Sequence, residues 1–139
     1  MGQGNSVRAV GDSLAGFERL VTQGRVDDYA EASGDYNPIH LDEAYAAATP
    51  FGGRIAHGML TLAFVTEMLA STFPNTWHTG GKLKVRFSAP VFPGETVTAY
   101  GTITSIDETD SGPVAVCSVG CRKSDGTNAV SGRATVPLE

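Results

Sequence analysis

Apolar and polar positions alternate strictly in the run GGKLKVRFSAP. Leu83, Val85 and Phe87 fall on one side of an extended chain, and Lys82, Lys84 and Arg86 on the other. Downstream, ETVTAYGTITSI, GPVAVCSVGCRK and NAVSGRATVPL read as three further β-rich runs, separated by the turn signals TDSGP and SDGT. Connections this short favour antiparallel pairing of successive strands. Near the other end, AGFERLVTQ (Ala15–Gln23) predicts a first strand, and residues 1–12 read as a loose lead-in.

The period changes between these strands. RVDDYAEASG predicts a short helix, with Asp27 and Asp28 suited to its positive N-terminal end and Gly34 as its stop. LDEAYAAAT predicts a second short helix capped by Asp42. From His57 to Phe73 apolar residues such as Met59, Leu60, Phe64, Val65, Met68 and Leu69 occupy almost every face. A helix that is apolar nearly all round is buried on all sides, so something must wrap it. The strands supply the wrapper. The expected fold class is α+β: an antiparallel β-sheet around a long central α-helix, the hotdog architecture.

The length of 139 residues suits a single domain over residues 1–139. A net charge of −5 speaks against nucleic acid, whose binding needs Lys and Arg to displace phosphate counterions. A local basic patch can still hold a phosphorylated ligand. The only cysteines, Cys117 and Cys121, lie on one predicted strand. Four residues at a strand's rise separate them by roughly 13 Å, too far for a disulfide without a bend. They read as reduced core residues. There is no apolar run of membrane-span length and no signal-peptide segment, so the expectation is a cytoplasmic protein without membrane attachment. MGQGNS matches the spacing of an N-myristoylation signal, but that match needs only a glycine and a serine, and no polybasic stretch follows.

The candidate chemistry gathers in SGDYNPIH, Ser33 to His40. Asn37 can cap through its side chain and Pro38 suits the first position of a helical turn. Turn formation does not account for Asp35 and His40, which flank this rigid segment. A carboxylate and an imidazole converging on one water form a general acid–base pair. A second constellation is AHGM, Ala56 to Met59, at the entry to the long helix. First-turn N–H groups lack intrahelical partners and the helix dipole adds positive potential, so Gly58 can serve an oxygen that becomes negative during reaction. Gly58 would equally permit tight packing, and His57 would equally be a satisfied core histidine. The stripe Lys82, Lys84, Arg86 is either a solvated strand face or a landing strip for a phosphorylated carrier arm, and Arg54 is another candidate for that contact. Trp77 and His78 read as loop or edge packing. No glycine-rich phosphate loop, GxSxG elbow, CxxC or HExxH occurs, so neither nucleophilic serine or cysteine catalysis nor a metal site has positive support.

These residues resemble the MaoC-like dehydratases, specifically the (R)-specific enoyl-CoA hydratases. The signature of an aromatic followed by Ser-Gly-Asp-x-Asn-Pro-aliphatic-His stands complete from Tyr29 through Ser33, Gly34, Asp35, Asn37, Pro38, Ile39 and His40. LDEAYAAATPFGGRIAHGML and LKVRFSAPVFPGETVTAYG are similar to the family's continuation, so the likeness covers roughly Val26 to Gly101. The resemblance implies a hotdog fold and a homodimer as the minimal unit, with hexamers built from dimers left open. It implies an acyl-CoA thioester substrate bound near the subunit interface, with no cofactor beyond the coenzyme A that the substrate carries. Asp35 and His40 match the catalytic pair, and Gly58 matches the glycine whose N–H binds the thioester oxygen. Asn37 would orient the loop, and Asn37, His57, Met59, Arg54, Lys84 and Arg86 are candidate substrate contacts. The implied reaction is hydration of trans-2-enoyl-CoA to (R)-3-hydroxyacyl-CoA. Two alternatives stay open on the same fold: a thioesterase using Glu67, the one carboxylate on the long helix, and a non-catalytic subunit of a heteromeric dehydratase.

Overall fold

A computed structural model describes residues 9–139. The N-myristoylation pattern lies outside the described residues. The chain runs β1 (Phe17–Leu20), α1 (Gln23–Ser33), α2 (Pro38–Leu41), α3 (Glu43–Ala47), α4 (Gly58–Thr72), α5 (Trp77–Gly80), β2 (Lys82–Phe87), β3 (Thr96–Thr109), β4 (Gly112–Lys123) and β5 (Asn128–Pro137). The strands form one antiparallel sheet in the order β1-β3-β4-β5-β2, with β1 and β2 at its edges. The sheet curls around α4. The expected α+β hotdog architecture is therefore the observed one.

Alternation decides which face of each strand meets the helix. On β2, Leu83 and Val85 pack against the core, whereas Lys82, Lys84 and Arg86 are exposed on the opposite face. On β4, Cys117, Val119 and Cys121 are fully buried, and both cysteines are free thiols. On α4, Leu60, Phe64, Val65, Met68 and Leu69 are buried. Burying one such side chain removes enough apolar surface to contribute about 1.5–3 kcal/mol, so α4 is the main source of core stability among the helices. It is not covered all round, however. Met59 is 55% exposed, and Glu67 and Ser71 are exposed further along, so the expectation of burial on every face fails along one side of the helix.

Local chemistry sets the ends of the helices. α1 begins before the predicted start, because the Thr22 side chain accepts from the Arg25 N–H and caps it. Asp27 and Asp28 consequently lie beyond the first turn. Gly34 ends the helix at φ +79°, a left-handed conformation that costs a residue with a β-carbon about 1–2 kcal/mol. Asp42 caps α3 through its carboxylate and the Tyr45 N–H, as expected. Trp77 and His78 belong to the short helix α5 rather than to a loop.

The first strand is shorter than predicted. Thr22 is taken up as a cap, and the Ala15 N–H donates to Thr72 Oγ1 of α4 (2.9 Å) instead of to a strand. Residues 9–12, part of the predicted loose lead-in, are tied to β3. The Gly11 N–H donates to the Ile103 carbonyl (2.8 Å), and the Ile103 N–H donates to the Asp12 carbonyl (2.9 Å). Among the described residues, no helix is long and apolar enough to cross a membrane.

Candidate active site

The loop from Ser33 to Asn37 is stitched by its own side chains. Ser33 Oγ accepts from the Asp35 N–H (3.2 Å), Asp35 Oδ1 from the Asn37 N–H (3.2 Å), and Asn37 Oδ1 from the Ile39 N–H (3.1 Å). Each bond spans two residues, the reach at which Ser, Asp and Asn hold turns. Pro38 then opens α2 with its φ already set for a helix. Asn37 is thus a cap that orients the loop.

α2 delivers His40 inward, 8% exposed. Its Nδ1 lies 2.8 Å from the Ile55 carbonyl oxygen. A carbonyl only accepts, so Nδ1 carries the hydrogen and Nε2 keeps a bare lone pair in the neutral ring. From the other side the Gln23 side-chain amide donates to the His40 carbonyl (2.9 Å), anchoring its backbone to the start of α1. Asp35, exposed, meets His40 at the end of the stitched loop. Potential ligand atoms of Asp35, His40 and His57 all lie within 4.8 Å of one another. This proximity prompts a metal reading as well as a proton-transfer reading. The rings of His40 and His57, however, are stacked with centroids 3.8 Å apart and planes 27° from parallel. Rings stacked face to face aim their in-plane lone pairs side by side, not at the common point that two ligands of one ion require.

His57 is the cap residue of α4 and is 2% exposed. Its Nε2 sits 3.0 Å from the Asp35 carbonyl oxygen, and Tyr29 packs on it with ring centroids 4.9 Å apart. It makes no side-chain capping bond; its carbonyl accepts from the Leu60 N–H (3.0 Å), and the N–H groups of Gly58 and Met59 are left for another acceptor. The macrodipole of this 15-residue helix adds positive potential at the same place. The ring of Phe87 lies against Gly58, its atoms 3.2 Å from where a β-carbon would stand. The site therefore has a carboxylate, an imidazole with a free lone pair, and a helix N-terminus bearing a glycine.

The other sequence candidates separate from this group. Met59 lies at its exposed rim. Arg54 pairs with Glu43 (3.3 Å) beside a depression bounded by Gly52, Gly53, Phe92 and Pro93. Lys84 and Arg86 stand on the face of β2 opposite the one that carries Phe87 to Gly58. Glu67, the candidate base of the thioesterase alternative, is held in a two-pronged pair by Arg19 (2.8 and 3.2 Å). Sequence reasoning gave no role to Phe87, Gln23 or the Ile55 carbonyl. For Phe87 the signal was present, since strict alternation in LKVRF already put it on the inner face.

Comparison with known proteins agrees with this geometry. A family model described as the MaoC like domain matches residues 7–120. The (R)-specific enoyl-CoA hydratase of Aeromonas caviae is 36% identical over 110 residues, covering 79% of this chain and 81% of that one. A protein of the same name from Rhodospirillum rubrum is 36% identical over 92 residues, covering 66% of this chain and 64% of its own length. Among solved structures, the (R)-hydratase from A. caviae involved in PHA biosynthesis superposes with a TM-score of 0.82 at 31% identity, over 96% of this chain and 99% of the other. With the signature from Tyr29 to His40 folded into one site and the family model matched over most of its length, this chain belongs to the MaoC-like family.

Proposed function

We propose that this protein is a hydro-lyase that adds water reversibly to trans-2-enoyl-CoA to give (R)-3-hydroxyacyl-CoA. The observation that carries this reading is the convergence of Asp35 and His40 beside the N-terminus of α4, where Gly58 begins the helix. The thioester carbonyl oxygen lies at the Gly58 N–H. A water sits between the Asp35 carboxylate and the bare Nε2 of His40. The pair takes a proton from the water as its oxygen bonds to C3, and the C2–C3 π electrons move through C1 to the thioester oxygen. The resulting enolate is stabilised by the amide and the helix dipole, groups already oriented before charge develops. The proton held by the pair then returns to C2, so one water has been added and nothing else consumed. Dehydration runs the same steps backward.

Coenzyme A enters only as part of the substrate, and no separate cofactor is involved. Lys84, Arg86 and Arg54 are the cations available to its phosphates. The protein works as a homodimer in the cytoplasm. The exposed apolar rim beside the site supports a subunit seam there. The test is hydration of crotonyl-CoA, followed as loss of the enoyl-thioester absorbance with a free-thiol assay alongside. Absorbance loss without thiol release is expected. Asp35→Asn and His40→Ala should each lower kcat by about 10²–10⁴-fold, the usual contribution of general acid–base catalysis. Thiol release would point to a thioesterase instead.

A further inference from the structure

We infer that His57 is a positioning residue that holds the acid–base pair and the oxyanion donor in one frame, and is not a substrate contact. This rests on the hydratase reading and deepens it. His57 reaches both members of the pair by different means. Its Nε2 is 3.0 Å from the Asp35 carbonyl oxygen, so the hydrogen sits on Nε2 and the bond fixes the backbone from which the Asp35 carboxylate projects. Its ring face lies on His40 at 3.8 Å, which stops that imidazole from tilting about its bond to Ile55.

His57 is itself immobilised. It is 2% exposed, Tyr29 packs on it, and the preceding Ala56 N–H donates to the Val91 carbonyl (2.7 Å). The next residue in the chain is Gly58. One dipeptide therefore sets the distance between the group that moves the proton and the N–H that receives the developing charge. Its Nδ1 is buried without a hydrogen-bond partner. The bond to Asp35 sets the tautomer, so what is buried at Nδ1 is a bare lone pair and not an N–H. That lone pair has no accessible surface, so a substrate in the open part of the site does not contact it.

The ring and the donor can be separated experimentally. His57→Gln keeps an N–H at about the reach of Nε2 and loses the stack; His57→Phe keeps the stack and loses the donor; His57→Leu loses both. Steady-state hydration of crotonyl-CoA, melting temperature and imidazole ¹H–¹⁵N correlation spectra of the wild type are measured together. The expected result is a kcat about 100-fold lower in His57→Leu, the scale of a misplacement of about 1 Å. KM should stay within about threefold, as for a group that acts only on the transition state. Gln and Phe variants should each recover part of kcat, and the spectra should show His57 with its hydrogen on Nε2 and His40 with its hydrogen on Nδ1. A raised KM at unchanged kcat would make His57 a substrate contact and overturn the proposal. So would full activity in His57→Leu, a kcat that follows melting temperature alone across the series, or the opposite tautomer at His57. If the wild type does not hydrate enoyl-CoA at all, the functional reading fails, and the tautomer measurement still decides whether His57 holds Asp35 as described.

Discussion

Gly58 shows how narrowly a single position is constrained. Its φ is not in the left-handed region, so the backbone alone would accept alanine. What crowds a side chain is Phe87, whose ring atoms would stand 3.2 Å from a new β-carbon and would have to give by a few tenths of an ångström. Gly58→Ala must push that ring aside and intrude where the thioester oxygen is proposed to sit. We expect at least a tenfold loss of kcat/KM, about 1.4 kcal/mol of transition-state stabilisation, with a melting temperature near that of the wild type. A large drop in melting temperature would mean that the change acts on folding and not on the site. Tyr29 and Gln23 act one step further out, one on the His57 ring and the other on the His40 carbonyl. Tyr29 is the aromatic of the signature, whereas Gln23 stands outside it and no spacing rule announces its role.

At the scale of elements, α1 and its stop determine where Asp35 points. Gly34→Ala places a β-carbon at φ +79° and should destabilise the protein by about 1–2 kcal/mol, measurable by urea unfolding. A second junction ties β1 to α4. Arg19 pairs with Glu67 while its guanidinium lies over the rings of Phe17 (4.5 Å) and Phe64 (5.3 Å). Glu67 is half exposed and Arg19 a quarter exposed, so solvent screens the ion pair and it contributes at most about 1 kcal/mol. Glu67→Gln should therefore cost little stability and leave crotonyl-CoA hydration unchanged; loss of activity would restore Glu67 as a candidate base. The helix boundaries were legible where a cap or a stop is a local event, as at Asp42 and Gly34. They were missed at Thr22, which the apolar pattern had assigned to the first strand, and at α5, whose four residues are too few to show a period.

For the whole molecule, the sheet closes most of the core and leaves one side wanting. Tyr36, Met59 and Phe87 are each about half exposed or more, and each adjoins Asp35 or Gly58 in sequence or in contact. β2 is an edge strand on the same side of the molecule as this rim. Placing an acid at Met59 should disrupt the proposed dimer. We expect Met59→Glu to elute as a monomer in light-scattering chromatography and to lose hydratase activity, whereas a wild type that is monomeric would contradict the subunit seam. Deep in the sheet, burial pushes the thiols of Cys117 and Cys121 up to about 11. The thiolate is the reactive form, so neither should react with a thiol reagent at pH 8 until the protein unfolds. The folded state also retains these protons at a pH where the unfolded chain releases them. Stability accordingly falls as pH rises from about 9, the ordinary thiol value, to about 11.

Neighbours a few residues away were enough to set the alternating faces of β2, the burial of Cys117 and Cys121 on β4, the capped loop that presents Asp35 and His40, and the glycine at the head of α4. Period and turn chemistry are local, and a fragment carries them without the rest of the chain. Packing alone set His57 on His40, Phe87 against Gly58 and Arg19 on Glu67. Each of these joins residues 17 or more positions apart. Their pairing follows from how the sheet curls around α4, a property of the packed whole that no run of residues contains.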